Sequence, residues 1–218
     1  MSRILIPTTG PDDWRHLLAD PEKQWKRGYS AMAAALSWEA ARGLPPELGE
    51  ILGPGAQLLL AIPEHKVALP GGRRESQCDV FALVDIGGAT CALAVEAKVN
   101  EPFGPTVGEW MREPSAGRVE RLGAICKMLG VVYPPPPELH YQLFHRTAAA
   151  VLEARRFNAA HAAMIVHSFS QDHRWFDAFA AFCAFLGLEA ARGRALSRPL
   201  PDGRTLTLGW ATGAPEFL

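Results

Sequence analysis

Asp79, Glu96 and Lys98 are the residues whose types and spacing best suit chemistry in this chain. They fall in Ser76 to Phe103, SQCDVFALVDIGGATCALAVEAKVNEPF, which reads as two apolar strands joined by a Gly87-Gly88 turn. Side chains alternate along a strand, so Glu96 and Lys98 share a face while Ala97 points away. Asp79 and Glu96 are each eight residues from the turn (87 − 79 = 8; 96 − 88 = 8), which makes them cross-strand neighbours. Two carboxylates at one strand end repel unless a cation lies between them, and hard oxygen donors suit Mg2+ or Mn2+. Such an ion polarises a phosphoryl oxygen and lowers the pKa of a bound water, and a nearby lysine stabilises transition-state charge. The competing reading is a structural ion pair between Glu96 and Lys98 at a strand end.

Other chemistries lack their signatures. The four cysteines, Cys78, Cys91, Cys126 and Cys183, form no CxxC pair, and no HExxH spacing occurs, so zinc is not indicated. His140 and His145 are five apart, on different faces of a helix, and His167 reads as a structural histidine ending a buried strand. There is no GxSxG elbow and no GxxxxGK[ST] loop. Gly71-Gly72 alone is a weak phosphate cradle. The 22 basic and 23 acidic residues give a net charge of −1, so nucleic acid would have to be met by a local basic patch. Arg73 and Arg74, and the helical Arg112, Arg118, Arg121, Arg155 and Arg156, read either as such contacts or as solvated surface. No secretory signal or membrane-length apolar run is present, and a soluble cytoplasmic protein is the default expectation.

The elements that must position the acids follow from periodicity. Ile4 to Ile6 reads as a short strand. Glu22 to Arg42 reads as one helix with Trp25, Tyr29, Met32 and Leu36 on its buried face and Glu39 on or beside it. Gln57 to Ile62 is a strand candidate, and Lys66 to Leu69 is either a second strand or a continuation past Pro63. Helices are expected over Ser115 to Leu129, with Val119, Leu122, Cys126 and Leu129 inward, and over Glu138 to Arg156. A buried strand follows at Ala162 to His167. Then come a Phe-rich helix near His173 to Leu186, a basic loop at Arg192 to Arg204 and a strand at Thr205 to Trp210. Glu101 sits in a Pro-rich loop and reads as solvated. At 218 residues the chain suits a single domain, with a core over about 22–170 and a helix-and-strand extension over 171–218. The fold class is α/β, a sandwich with a central mixed sheet flanked by helices, because an early hairpin excludes a purely parallel sheet.

Asp79, a hairpin and then Glu96-Ala97-Lys98, in the order helix, three strands, helix, strand, resemble the PD-(D/E)xK superfamily, the restriction-endonuclease-like fold. The likeness covers about three quarters of the chain and extends to an uncharacterised bacterial family within the superfamily. Cys78 stands where the motif has proline. The resemblance implies a Mg2+- or Mn2+-dependent nuclease with Asp79 and Glu96 as metal ligands and Lys98 as the catalytic lysine. It implies Glu39 as a further carboxylate from the first helix, and Gln142 or Arg146 as the polar residue from the helix after the lysine strand. Nucleic acid is the implied partner, DNA before RNA, and a homodimer is among the implied assemblies. The alternative function is a catalytically inactive nuclease-fold protein that binds nucleic acid or a protein partner.

Overall fold

The computed structural model describes residues 8 and 10–218; the expected strand at Ile4 to Ile6 lies outside the described residues. A six-stranded mixed sheet forms the centre, in the spatial order β1-β2-β3-β4-β6-β5. Strands β1 (Gln57–Val67), β2 (Ser76–Ile86) and β3 (Ala89–Lys98) run antiparallel to one another. Strands β4 (His161–Ser168) and β6 (Thr205–Thr212) continue parallel to β3, and β5 (Leu196–Pro199) pairs antiparallel with β6 at the far edge. The chain is thus an α/β sandwich around a mixed sheet.

Helices cover both faces. Helices α2 (Ser30–Ala41) and α3 (Pro46–Leu52) pack on one, where Trp14, Trp38, Leu48 and Ile51 meet Val80, Ala82, Leu93 and Ile165. On the other, α5 (Ala116–Leu129), α6 (Tyr141–Arg156) and α7 (Phe176–Phe185) bury Leu122, Phe144, Phe179 and Phe182 against Phe81, Ala94, Met164 and Trp210. The short helices α1 (Pro21–Gln24) and α4 (Val107–Trp110) lie in the connections. With both faces covered, β3 and β4 are apolar through their middles, Cys91 to Val95 and Ala162 to Val166, as central strands are, and polar residues stand at their carboxyl ends.

Several expectations are corrected. The helix expected over Glu22 to Arg42 is two helices, interrupted at residues 25–29, where Gly28 takes a left-handed φ of 79°. The buried face of α2 is Ala33, Ala34, Ala35, Ser37 and Trp38, while Tyr29 is exposed. Alanine is buried at no cost in side-chain entropy, so the small residues sit against the sheet and the larger ones flank them. Val119 of α5 is also exposed. Of the two readings of Lys66 to Leu69, the continuation is the one observed: the strand at Gln57 runs unbroken through Pro63 to Val67, which an edge strand tolerates. The loop expected over Arg192 to Arg204 contains β5. The segment 171–218 is no appendage, because β6 is hydrogen-bonded to β4 inside the sheet.

Gly87 and Gly88 both adopt positive φ, 61° and 88°, as a two-residue hairpin turn demands, and Asp85 Oδ1 accepts from Gly88 N at 2.7 Å. That turn fixes the β2–β3 register, Asp85 to Thr90 through Val80 to Val95.

Candidate functional site

The β2–β3 ladder ends at the pair Val80–Val95. Beyond it β2 stays with β1 as far as Ser76, and β3 stays with β4 as far as Lys98. The two strands fork, and a cleft of about 430 Å³ opens there, lined by Glu64, Asp79, Glu96, Lys98 and Gln142. Its other wall includes Lys23, Tyr29 and Ser30, which the break between α1 and α2 brings to the cleft. The cleft lies at the carboxyl end of the parallel strand β3, where open α/β sheets commonly bind ligands.

Three acids form a row across the fork. Extending the β2–β3 register by one residue sets Asp79 opposite Glu96. The β1–β2 pairs Pro63–Val80 and His65–Cys78 leave Glu64 opposite Asp79. Both β1 and β2 lose one step of alternation here. Val80, Ala82 and Val84 face α2 and α3, yet Cys78 faces α5 and α6. On β1, Ile62 and Val67 face the same side, and Glu64 between them has a φ of 52°. A non-glycine residue in that region is uncommon, and such slips re-aim side chains.

Each acid is held differently. Where the ladder stops, Asp79 Oδ2 accepts the next amide, Ala97 N, at 2.6 Å. Glu64 Oε2 accepts from Gln77 Nε2 at 2.6 Å. Glu96, only 2% exposed, accepts from Lys98 Nζ at 2.6 Å and Gln142 Nε2 at 2.7 Å through Oε1, and from Arg146 Nε through Oε2. Gln142 and Arg146 are four apart on α6, so they stack on one helix face and reach the same carboxylate. Lys98 Nζ also lies 5.2 Å from the centroid of the Phe103 ring. Behind them Arg146 Nη1 donates to Ser76 Oγ at 3.0 Å, and Ser76 Oγ is 2.8 Å from His145 Nδ1. Burial and the Arg146 charge push the imidazole of His145 down to about 3, and Arg146 Nη1, which can only donate, also lies 3.5 Å from His145 Nδ1, an arrangement that suits a neutral ring accepting at Nδ1.

The acids differ as sharply in charge. Burial alone would raise Glu96, but the charges of Arg146 and Lys98 outweigh it and hold the carboxyl at about 2. Burial, and then the charge of Glu96, push Asp79 up to about 7. Burial, and then the charge of Asp79, push Glu64 up to about 8. The anionic forms of Asp79 and Glu64 therefore lack full compensation.

Of the residues singled out by sequence, Asp79, Glu96, Lys98, Gln142 and Arg146 all line the cleft. Glu39 does not; its Oε1 accepts from Trp14 Nε1 and Thr8 Oγ1, both at 2.8 Å, because the altered face of α2 turns it toward the 3-10 helix at Pro11–Leu17. Glu101 reaches the cleft rather than open solvent and accepts from the amides of Ser30, Val99 and Asn100. His167 is fully buried, with Nε2 2.6 Å from Glu47 Oε1, and does not line the cleft. Sequence reasoning missed Glu64. Reading β1 through Pro63 and pairing it with β2 would have found it.

Among the described residues, no group of three or more His, Cys, Asp or Glu side chains is arranged to hold a metal ion as it stands. The donors that remain suit a hard cation all the same. Asp79 and Glu64 are acids whose charge is uncompensated, and Gln142 Oε1 is buried without a hydrogen-bond partner. Mg2+ needs only one or two carboxylates, with water and phosphate oxygens completing its shell. Glu96 is less suited, because its oxygens are engaged by three side chains.

The chain belongs to the family described as Domain of unknown function (DUF6946), which matches residues 7–215. No curated protein and no solved structure matches it.

Proposed function

We propose that this member of the DUF6946 family is a metal-dependent phosphodiesterase with a restriction-endonuclease-like fold, hydrolysing a phosphodiester bond in nucleic acid. One observation carries the reading: Glu64, Asp79 and Glu96 lie in a row across three adjacent strands, with Lys98 and Gln142 in the same cleft. Buried like charges cost stability, so their concentration at one fork marks it as a functional site. The order α2, β1 to β3, α5 and α6, β4 also agrees with the expected core.

In this reading Asp79 and Glu64 hold Mg2+ or Mn2+, assisted by Gln142 Oε1. The ion, when bound, supplies Lewis-acid polarisation of a phosphoryl oxygen and a more acidic water. Lys98 is pinned between Glu96 and the Phe103 ring, a fixed positive charge for the phosphorane oxygens. Arg146 and Gln142 orient Glu96, and Glu96 in turn orients Lys98.

A second reading, a non-catalytic nuclease-fold protein that binds nucleic acid or another protein, has its own support. The charge of Glu96 is already met by the chain's own Lys98 and Arg146, without an external cation. The test begins with calorimetric titration of Mn2+ into wild type, Asp79→Asn and Lys98→Met. Wild type and the three variants Asp79→Asn, Glu64→Gln and Lys98→Met are then incubated with Mg2+ and single-stranded, duplex and branched DNA and RNA. The phosphodiesterase reading expects Mn2+ binding weakened at least about tenfold in Asp79→Asn, and cleavage lost in Lys98→Met with Mn2+ binding retained. Absence of metal binding and of cleavage of every substrate by wild type would move the conclusion to the second reading.

A further inference from the structure

A second cavity, of about 330 Å³, lies beside the loop joining β1 to β2. It is lined by Gly71, Gly72, Arg73, Arg74, Trp110, Ser115, Arg118 and Arg121, and so by four arginines and no acid. Among the described residues none of the four makes an ion pair with a carboxylate. Arg121 is only 7% exposed, and a buried guanidinium without a counter-charge is costly.

The cavity is rigidly built. Arg121 donates to the carbonyls of Pro70 at 2.9 Å and Gly72 at 3.1 Å. Arg118 donates to the carbonyls of Trp110 at 2.8 Å and Glu113 at 3.2 Å. Gly71 and Gly117 meet backbone to backbone: a Cβ on Gly71 would stand 2.3 Å from the Gly117 carbonyl oxygen. Only glycine lets loop and helix approach so closely. Arg73 and Arg74 project from this clamped loop and are exposed.

We propose that the arginine cavity binds a backbone phosphate of nucleic acid, one that flanks the phosphodiester held in the acidic cleft. The assignment to that same substrate rests on the phosphodiesterase reading. Arginine is the preferred residue for phosphate, through its planar fork of donors. The two sites are close enough to share one strand. Arg74 and Asp79 are five residues apart, so they are separated by at most about 18 Å, which is about five steps at 3.4 Å per nucleotide. The sites also share the start of α6: Tyr141 stacks on Trp110 with centroids 3.8 Å apart, and the next residue, Gln142, lines the acidic cleft.

The test is binding of a fluorescein-labelled single strand and a labelled duplex, followed by anisotropy in EDTA from 50 to 200 mM salt. Wild type is compared with Arg73→Ala/Arg74→Ala and with Arg192→Ala/Arg194→Ala, a control beside β5 at the opposite edge of the sheet. Losing that one phosphate contact lowers the slope of log affinity against log salt by about 0.7 for the single strand and about 0.9 for the duplex. The advantage of wild type over Arg73→Ala/Arg74→Ala then shrinks about three- to fourfold across that range for the duplex. The control is expected to keep the wild-type slope. An unchanged slope in Arg73→Ala/Arg74→Ala, an equal loss in the control, or no wild-type binding at 50 mM salt would overturn the proposal. Binding in EDTA requires no catalysis. A slope change without cleavage in Mg2+ therefore upholds the phosphate site while refuting the phosphodiesterase reading.

Discussion

Glu96 is the electrostatic anchor of the cleft, and Glu96→Gln is the most revealing perturbation. Glu96, Lys98 and Arg146 are 2%, 4% and 7% exposed, so all three charges are withdrawn from water. Glutamine keeps the shape but turns an amide toward Lys98 or Arg146 and leaves two buried cations without their shared counter-charge. Breaking a buried pair costs about 3–5 kcal/mol, a large part of the roughly 5–15 kcal/mol that holds a domain together. With a urea m value of about 2 kcal/mol/M, the midpoint falls by about 2 M. Lys98→Met costs less, because Glu96 keeps Arg146. The double variant Glu96→Gln/Arg146→Met costs less than the sum of its parts, since removing both members of a pair avoids an orphan charge. The pH profile adds a check. The folded Glu96 carboxyl lies at about 2, below its ordinary value of 4.5, so its contribution is present above about 4.5 and disappears as pH falls toward 2. Because the charge of Glu96 also raises Asp79, the penalty of Glu96→Gln is largest near pH 5, shrinks toward pH 8 as Asp79 ionises free of that repulsion, and wanes below pH 5. A loss under about 1 kcal/mol at pH 7, or strict additivity in the double variant, would refute the anchoring role.

Asp79 behaves oppositely. Its folded carboxyl is raised from 3.8 to about 7, so in EDTA wild type loses stability as pH rises across that window. Asp79→Asn, which retains an acceptor for Ala97 N, is expected to be more stable than wild type by about 1–4 kcal/mol at pH 8 and equal to it near pH 4; lower stability at pH 8 in urea denaturation would contradict this. Glu64→Gln should weaken Mn2+ binding at least about tenfold by calorimetry, and unchanged affinity would remove Glu64 from the ligand set. Glu39→Ala should leave Mn2+ affinity unaltered but cost about 1–3 kcal/mol, because the buried Trp14 indole loses its acceptor; a tenfold loss of affinity would restore Glu39 to the site. Gly71→Ala should lower stability by about 2–4 kcal/mol in thermal or urea unfolding, since a Cβ there meets Gly117 O at 2.3 Å and Arg121 N at 2.6 Å with φ at 75°; a change below about 0.5 kcal/mol would show that the loop is not clamped to α5.

The parts of the site legible in the sequence are those governed by local rules. Gly87-Gly88 dictates a tight turn, and a tight turn dictates register, so Asp79 could be set beside Glu96 by counting. Gln142 and Arg146 enter only as alternatives implied by the resemblance, and their four-residue spacing on α6 is why both reach the cleft. What stayed hidden depends on exceptions. Glu64 was obscured because Pro63 suggests the end of a strand, whereas an edge strand accepts proline and continues. Glu39 was misjudged because the helical period from Trp25 to Met32 and onward assumes one unbroken helix. Gly28 breaks that helix and resets its face. Glu101 was misjudged because a Pro-rich loop suggests solvent, yet it accepts three amides where α2 begins and β3 ends.

The distribution of charge in the cleft is lopsided, and the lopsidedness bears on function. Two cations, Lys98 and Arg146, converge on Glu96, while Asp79 and Glu64 next to it have only neutral hydrogen-bond donors. A fold under pressure for stability alone would share its cations among the acids or replace the acids with neutral residues. By contrast the neighbouring positions of β2 and β3 are Val80, Phe81, Ala94 and Val95, all apolar and fully buried. Local conflict inside a consistent structure concentrates where function requires it. Here it separates two tasks. Glu96 is neutralised from within, by Lys98 and Arg146, and on the phosphodiesterase reading it positions Lys98. Asp79 and Glu64 are left short of positive charge, and their deficit is one that a divalent cation can meet.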